Sequence, residues 1–157
     1  MKLIVKEKKP RYVKPASIKE LEQLHFDCKR TQYHDTPVRY LVKNTFRDDT
    51  ANGLTKCIIA WLKIQGYFAA RVNTTGIYSK RLNKYIYSGS TKGMADITAV
   101  IDGKHVSIEV KVGRDKPRPE QLKVQKRIED SGGIYIFVHS FDEFLEKIKK
   151  EKYEKNI

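Results

Sequence analysis

The sequence predicts an α/β fold in which a mixed central sheet is flanked by helices. Apolar residues recur at helical spacing before and after a block of strands, and apolar alternation brackets an Asp102-Gly103 pair, which is a strong signal for a tight β-hairpin. The expected order is an αβββαβ core followed by a last helix. A chain of 157 residues has room for one hydrophobic core, so we expect one folded domain preceded by a basic extension.

The composition indicates a polyanionic partner. Lysine and arginine number 32 against 19 aspartates and glutamates, which gives a formal net charge of +13. Nucleic acid is the first expectation for so basic a small protein, and an anionic membrane surface is the second. No apolar run approaches the roughly 18 residues that a membrane-spanning helix needs, and the N-terminus lacks a signal peptide's apolar stretch. We therefore expect a soluble, cytoplasmic protein without a membrane partner.

Residues 1–50 are expected to form a basic N-terminal extension with one short helix. Residues 1–16 carry lysines, an arginine and prolines among few apolar positions, which is typical of a loosely held arm. Ser17 and Glu20 have the spacing of a capping box. The apolar residues that follow at helical spacing are Ile18, Leu21, Leu24 and Cys28. No role for this extension follows from the sequence.

Residues 51–157 are expected to form the folded domain. Asn52 is predicted to cap its first helix and Gly66 to end that helix, and a strand is expected over residues 67–73. Residues 74–93 mix tyrosines, glycines and basic residues without a sustained period, which favours a long loop or an irregular hairpin whose rings stack on bases. An ordinary solvated loop with tyrosines packed beneath it fits the pattern equally well.

The C-terminal third predicts a helix, a strand and a second helix. The first helix is expected over residues 119–131, opened by its proline and stopped at Gly132. A strand over residues 134–139 follows. Ser140 and Glu143 then have capping-box spacing and are expected to open the last helix.

The Asp102-Gly103 hairpin brings two acidic residues together. With a two-residue loop, the register places Asp96 directly opposite Glu109. Because side chains alternate between the faces of a strand, Lys111 shares the face of both carboxylates. Thr98, His105 and Ser107 complete this polar face, and the predicted apolar face consists of Ala95, Ile97, Ala99, Ile101, Val106, Ile108, Val110 and Val112.

Two directly opposed carboxylates repel each other unless a cation lies between them. Hard oxygen ligands suit Mg²⁺, with Mn²⁺ as a plausible substitute, whereas Cys28 and Cys57 lack the CxxC spacing of a zinc site. Lys111 would stand beside the metal, where its ammonium would orient water and stabilise charge on a phosphate. A solvated polar face on which Glu109 and Lys111 merely pair is the alternative.

Several motifs together resemble the PD-(D/E)XK nuclease superfamily, and within it the VRR-Nuc branch. They are KGMADI (92–97), IEVK (108–111), PEQLKVQKRIEDSGG (119–133) and IYIFVHS (134–140). The resemblance covers about residues 52–146. It implies a restriction-endonuclease-like fold with a metal-dependent phosphodiesterase site.

The resemblance assigns roles to residues of the hairpin and of the helix that follows it. It implies that the metal is held by Asp96, Glu109 and the main-chain carbonyl of Val110, and that Lys111 and Gln121 join the two carboxylates as catalytic residues. Gln125 lies one helical turn beyond Gln121 on the same face and is the second choice for contacting the scissile phosphate. Solvated helix glutamines would explain both.

Basic residues around the site are expected to hold the nucleic-acid backbone. The resemblance places RVNT (71–74) at the end of the first core strand, so Arg71 and Asn73 are candidate phosphate contacts, although packing at the strand end explains them equally well. The further candidates are Lys80, Arg81, Lys84, Lys92, Arg114, Lys116, Arg118 and Gln125.

The first core helix departs from the family pattern. Relatives often carry a glutamate near its start, where this chain has TANGLTK (50–56). Asp48 or Asp49 would have to substitute for that glutamate. Otherwise the site keeps two carboxylates and one tightly held metal.

On this resemblance we expect a Mg²⁺-dependent endonuclease that hydrolyses DNA by in-line attack of water and leaves 5′-phosphate and 3′-hydroxyl ends. Branched, flapped or four-way-junction DNA would be the substrate of a structure-selective enzyme, and junction resolution would require a homodimer. The alternative from another class is a non-catalytic nucleic-acid-binding module that retains the nuclease fold. A basic assembly or membrane-surface protein is a third hypothesis.

Overall fold

The structure, a computed structural model, describes residues 11–72, 76–86 and 91–153. In this part of the chain the helices are α1 (Ala16–Gln32), α2 (Ala51–Ile64), α3 (Pro119–Asp130) and α4 (Phe141–Tyr153), with a 3₁₀ turn at Val38–Tyr40. The strands are β1 (Phe68–Arg71), β2 (Ile77–Ser79), β3 (Lys84–Ile86), β4 (Ile97–Ile101), β5 (Lys104–Val110) and β6 (Ile134–Val138). None of the helices in these ranges combines the length and the apolarity that crossing a membrane requires.

Strands β1, β4, β5 and β6 form the central sheet, in the order β1-β4-β5-β6. Strand β4 is antiparallel to β1 and β5, whereas β6 runs parallel to β5. Helices pack on this mixed sheet, which confirms the predicted mixed α/β class. Strands β2 and β3 pair in a separate antiparallel hairpin. Of the two structures predicted for residues 74–93, a long loop or a hairpin, the described part of this segment forms the hairpin.

The β4–β5 hairpin has the register that its turn sequence predicts. Its ladder runs from the turn to Ile97, which pairs with Ile108. Asp102 has a φ of 49° and Gly103 a φ of 78°, which is the left-handed geometry of a two-residue type I′ turn. Aspartate and glycine tolerate that geometry better than other residues, so the turn fixes which residues face each other across the strands.

Different helices cover the two faces of the sheet. Helices α1, α2 and α4 pack on one face against apolar residues of all four strands. Helix α3 lies on the other face, where Val124 and Tyr135 pack with Ala95. The prediction that Ala95 belongs to the apolar face of the hairpin is wrong, because β4 begins only at Ile97 and Ala95 precedes the bend at Asp96.

The described N-terminal segment contributes to the same core. Helix α1 spans 17 residues, longer than the short helix predicted, and it buries Ile18 and Leu21 in one cluster with Phe46. The predicted cap at Ser17 is wrong, since the helix begins after Pro15 without a side-chain cap. The Ser17 hydroxyl is buried and finds no hydrogen-bond partner among the described residues. Apolar spacing therefore identified the helix, and the capping motif did not.

Helix α2 begins two residues earlier than predicted. Thr50 caps it, and the Thr50 hydroxyl accepts the N–H of Gly53 at 3.1 Å. The predicted cap, Asn52, is wrong because this residue already lies inside the first turn. Gly66 follows the helix with a φ of 82°, so the predicted stop is confirmed.

The C-terminal elements follow the prediction closely. Helix α3 begins at Pro119, and Gly132 follows its end with a φ of 83°. Helix α4 begins after Ser140, whose hydroxyl accepts the N–H of Glu143 at 3.2 Å. The Glu143 carboxylate in turn accepts the N–H of His139 at 2.7 Å. The capping box is therefore confirmed, with its reciprocal bond displaced by one residue.

Candidate active site

The candidate site lies where the β4–β5 hairpin opens. Asp96 sits at the bend before β4, and its main-chain oxygen accepts the N–H of Val72 at 2.8 Å, so β1 ends beside it. The Asp96 carboxylate accepts the N–H of Val110 at 3.1 Å. Asp96 and Glu109 are the next residues after the last ladder pair, Ile97 and Ile108, so the sheet places both acidic residues at one opening.

Glu109 is a buried carboxylate with one unsatisfied oxygen. Only 5% of the residue is exposed. Its Oε1 accepts hydrogen bonds from the Gln121 amide and from Lys111 Nζ, the latter at 3.2 Å. Its Oε2 is buried without a partner among the described residues. Burial, and then the negative charge of Asp96, raise the pKa of Glu109 above its usual value, although Lys111 and Gln121 oppose the shift.

Lys111 is a buried cation held between two carboxylates. It is 1% exposed, and its Nζ lies 3.2 Å from Glu109 Oε1 and 3.2 Å from Asp115 Oδ2. Its main-chain N–H donates to the oxygen of Val138 at 2.8 Å, which ties the end of β5 to β6. Sequence reasoning missed Asp115. The signal available was an acid four residues after the lysine, in a turn that folds back towards it.

Gln121 is the glutamine that reaches the carboxylates. It lies in the first turn of α3 and is buried. Its side-chain oxygen accepts the N–H of Arg118 at 2.9 Å, and its amide donates to Glu109. The Gln125 amide instead donates to Glu129 at 2.9 Å, on the half-exposed side of the helix. Between the two candidates, the geometry brings Gln121 to the site and leaves Gln125 outside it.

These groups line one cavity of about 470 Å³. Val110 contributes to the wall, and Lys92 and Arg118 add two exposed cations at its edge. Gly93 has a φ of 86° and packs so closely on the main chain of Glu120 that a Cβ would overlap it. The approach of this glycine to the start of α3 closes one side of the cavity.

The other predicted phosphate contacts that the structure describes do not line this cavity. Arg71 is exposed, and its guanidinium donates to the Asn52 side chain at 2.7 Å, next to Ala51 in the cavity wall. Asn73 lies outside the described residues. The remaining predicted contacts are exposed on the β2–β3 hairpin and on the loop before α3, and they are Lys80, Arg81, Lys84, Arg114 and Lys116.

Neither aspartate proposed to replace the missing glutamate of α2 lines the cavity. Asp48 accepts the Tyr12 hydroxyl at 2.9 Å and the N–H of Phe141 at 3.2 Å, so it fixes the start of α4. Asp49 pairs with Arg47. The prediction that Asp48 or Asp49 takes the place of that glutamate is therefore wrong. Within the described ranges no group of three or more histidine, cysteine, aspartate or glutamate side chains is arranged to hold a metal ion.

Tyr135 lies behind the carboxylates and was also missed from the sequence. Its hydroxyl donates to the main-chain oxygen of Gly93 at 3.4 Å. Burial, and then the charges of Glu109 and Asp96, raise the pKa of Tyr135 well above its usual value. A buried tyrosine that stays protonated supports the cavity wall, and strand alternation on β6 was the signal that could have placed it on this face.

Comparison with models of known protein families and with curated proteins finds no match for this chain. The chemistry of the site therefore follows from its own atoms. One cavity is lined by four carboxylates, a main chain and an amide, together with a buried ammonium and two peripheral cations. Such a cavity can accept a hard cation at the carboxylates and an anion at the positive groups.

Proposed function

We propose that this chain is a Mg²⁺-dependent nuclease that hydrolyses DNA phosphodiester bonds, with a restriction-endonuclease-like core and a PD-(D/E)XK type of site. The observation that carries the proposal is the buried Oε2 of Glu109, which has no partner among the residues that the structure describes and belongs to a cavity that also holds the Asp96 carboxylate. A buried polar atom without a partner is rare in folded proteins, and an ordered water or a bound ion is a common explanation.

The donor set fits a small hard cation. Asp96, Glu109 and the carbonyl of Val110 would hold it, since Mg²⁺ takes oxygen ligands and needs few carboxylates when water and phosphate complete its shell. Burial, and then the adjacent negative charge of Asp96, raise the pKa of Glu109, and a cation bound between the two carboxylates would offset both effects. When bound, the cation would stabilise the charge of the scissile phosphate and make water a stronger nucleophile.

The protein's own side chains supply the remaining functions. Lys111 would present a fixed positive charge to the phosphate, because Glu109 and Asp115 hold its ammonium from two sides. Gln121 fixes the orientation of Glu109 through its amide. Lys92 and Arg118 at the cavity edge would neutralise neighbouring backbone phosphates.

A purely structural ion pair explains these contacts less well. A buried pair of Lys111 with Glu109 would be stable if hydrogen bonds satisfied the remaining oxygens. Here Oε2 of Glu109 stays without a partner in the described part of the chain, and burial of the polar groups offsets much of the attraction. A ligand that binds Oε2 would supply the missing interaction.

One observation favours the rival function, a non-catalytic nucleic-acid-binding module. The donor set is small: Asp115 and Glu120 also line the cavity, but among the residues described no three histidine, cysteine, aspartate or glutamate side chains are arranged to hold a metal ion. A chain that binds DNA but does not bind a divalent cation would have this appearance. Cleavage assays separate the two functions.

The test compares wild-type protein with Lys111→Met, which keeps the side-chain stem, and with Lys123→Met, an exposed lysine of α3 outside the cavity. Both are incubated with plasmid, single-stranded, flapped and four-way-junction DNA, with and without Mg²⁺. We expect Mg²⁺-dependent cleavage by wild type and Lys123→Met, and a rate at least about 10²-fold lower for Lys111→Met. Circular dichroism verifies that each variant is folded.

Two results would overturn the proposal. The first is the absence of Mg²⁺-dependent cleavage on every substrate by folded wild-type protein. The second is equal cleavage by Lys111→Met and wild type, which would indicate a contaminating nuclease or a different site. The DNA that is cut fastest then identifies the substrate structure.

A further inference from the structure

The β2–β3 hairpin is a second feature of the molecule that needs an explanation. Its strands pair with each other and not with the central sheet. We call residues 77–86 the ribbon. No helix or other strand in the described ranges makes substantial contact with it. An isolated two-stranded hairpin is marginally stable in water, so the ribbon is suited to being stabilised by a partner.

Both faces of the ribbon are open to solvent. Tyr78 and Tyr85 are a cross-strand pair on one face, with ring centroids 5.2 Å apart in an edge-to-face arrangement. Ile86 and Lys84 lie on the opposite face and are exposed. Tyr85 is 64% exposed and Ile86 is 47% exposed. Large apolar side chains exposed this far on both faces indicate a surface that another molecule covers.

The charge of the ribbon indicates a polyanion. Lys80 and Arg81 lie in its turn and Lys84 on its second strand, and all three are exposed. The ribbon contains no acidic residue, and no aspartate or glutamate occurs anywhere between Asp49 and Asp96. Electrostatic attraction therefore acts on phosphates without a competing carboxylate in this part of the sequence.

The ribbon is attached at the mouth of the candidate active site. On one side the chain leaves the sheet at Val72, whose N–H donates to the main-chain oxygen of Asp96. On the other side it returns through Lys92 and Gly93, which line the cavity. A nucleic acid whose phosphate occupies the cavity would therefore lie beside the base of the ribbon.

We propose that the ribbon docks into the major groove of duplex DNA and thereby holds the duplex over the cavity. The inference rests on the proposed function, because both take DNA as the ligand. The major groove is wide enough for a two-stranded β-ribbon. Cations at the turn and on one strand reach the phosphates that border the groove. Single strands fit less well, because Tyr78 packs on Tyr85 and its hydroxyl bonds to Asn83, so the pair is not free to stack on successive bases.

The experiment measures binding without chemistry. A ribbon triple variant, Lys80→Gln, Arg81→Gln and Lys84→Gln, is compared with a control triple that removes the same charge from α1, α2 and α4, namely Lys19→Gln, Lys63→Gln and Lys149→Gln. Fluorescence anisotropy in EDTA follows binding to duplex and to single-stranded DNA at 50 and 200 mM salt, about the range in which phosphate contacts are sensitive to salt.

The ribbon triple is expected to lose duplex affinity and salt dependence. If all three cations contact phosphates, wild-type protein should lose up to about 40-fold more affinity than the ribbon triple between the two salt concentrations. The control triple should retain the wild-type salt dependence. Equal behaviour of the two triples would overturn the proposal, and so would a loss confined to single-stranded DNA.

Chemical protection tests the groove directly. Guanine N7 lies in the major groove, so wild-type protein should protect guanines at its binding site from methylation by dimethyl sulfate. The ribbon triple should protect them less at equal occupancy. Unchanged protection would contradict groove docking. Failure of the two proposals can be distinguished, because these experiments measure binding in the absence of cleavage. If wild-type protein docks the ribbon as described but never cleaves DNA, the nuclease proposal is overturned and the groove-docking proposal is not.

Discussion

Two glutamates are buried in the part of the chain that the structure describes, and they differ in the charges around their carboxylates. Glu22 on α1 is 9% exposed and Glu109 on β5 is 5% exposed. Glu22 accepts hydrogen bonds from Lys14 and from the N–H of Phe46 at 2.7 Å. Glu109 has Lys111 and Gln121 on one oxygen and, within the described chain, nothing on the other.

The pKa values of the two side chains move in opposite directions. Burial opposes the ionisation of Glu22 most strongly, but the hydrogen bonds from Lys14 and Phe46 together hold its pKa below the usual value. Burial and the charge of Asp96 raise the pKa of Glu109. Both glutamates accept two hydrogen bonds on Oε1, so within the described chain the difference lies in the negative charge of Asp96 beside Glu109 and in the buried, unpartnered Oε2 of Glu109. The N-terminal segment thus shows what a structural buried acid looks like in this molecule.

The largest effect is expected for the acid that shares the cavity with Glu109. Asp96→Asn removes one of the two charges while keeping the side-chain shape, so we expect cleavage to fall by at least about 10²-fold. DNA binding in EDTA should persist, because the basic surface is unchanged. Steady-state cleavage of the best substrate measures the loss.

Asp130→Asn is the matched control for this change, since Asp130 is exposed at the end of α3 and away from the cavity. It should cleave at the wild-type rate. Undiminished cleavage by Asp96→Asn would remove the distinction between a structural and a functional acid.

The two Glu→Gln variants should differ in how much stability they lose. Glu22→Gln weakens charge-assisted bonds to Lys14 and Phe46 and should lower the free energy of unfolding by about 1–3 kcal/mol. Glu109→Gln relieves the repulsion from Asp96 but leaves the buried Lys111 with Asp115 as its remaining carboxylate partner, so it should lower stability less than Glu22→Gln in metal-free buffer. Urea unfolding of both variants in EDTA measures these values. A larger loss for Glu109→Gln than for Glu22→Gln would make Glu109 the structural acid.

The pH dependence of stability should separate the same two residues. The raised pKa of Glu109 means that its contribution is present below the unfolded value of 4.5 and is lost as pH rises through the folded pKa. The lowered pKa of Glu22 means that its contribution is present above 4.5 and is lost as pH falls through the folded pKa. The difference in unfolding free energy between wild type and each Gln variant, followed against pH, should slope in opposite directions.

These slopes lie in different pH windows. The Glu109 slope should occur above pH 4.5 and the Glu22 slope below it. A Glu109→Gln difference that is flat above this pH would contradict the assignment of a raised pKa.

The smallest effect is expected at Asp115, which forms an ion pair with Lys111. Asp115→Asn should lower kcat by roughly tenfold or less, because Lys111 keeps Glu109 as a partner. KM should not rise, and thermal stability should stay close to wild type. Asp142→Asn, an exposed acid of α4, is the control. A loss as large as that of Asp96→Asn would place Asp115 among the groups that touch the substrate or cation.

Local chemistry explains why much of the sheet could be predicted from the sequence. The Asp102-Gly103 turn fixes the hairpin register, and Asp96 and Glu109 follow directly after the last pair of that ladder, Ile97 and Ile108. Pro119 and Gly132 mark the ends of α3 for reasons contained in a few neighbouring residues. Errors at Ser17 and Asn52 concern which of several nearby residues forms the cap.

Contacts between distant segments could not be predicted in this way. Asp48 bonds to the N–H of Phe141, and Phe46 to Glu22, across long stretches of chain. No local pattern specifies such partners. The depth at which Lys111 is buried depends on α3 covering the polar face, and the sequence pattern alone fits a solvated face equally well. Because the burial of Lys111 could not be predicted, neither could its ion pair with Asp115.

Cation binding by calorimetry tests the central claim most directly, because it does not depend on finding the right DNA. Wild type and Asp130→Asn should bind Mg²⁺ with the same affinity. Asp96→Asn and Glu109→Gln should each bind it at least about tenfold more weakly, since removing a ligand exceeds the effect of removing a supporting group. Binding of Mg²⁺ by both variants as tightly as by wild type would contradict a cation shared between Asp96 and Glu109.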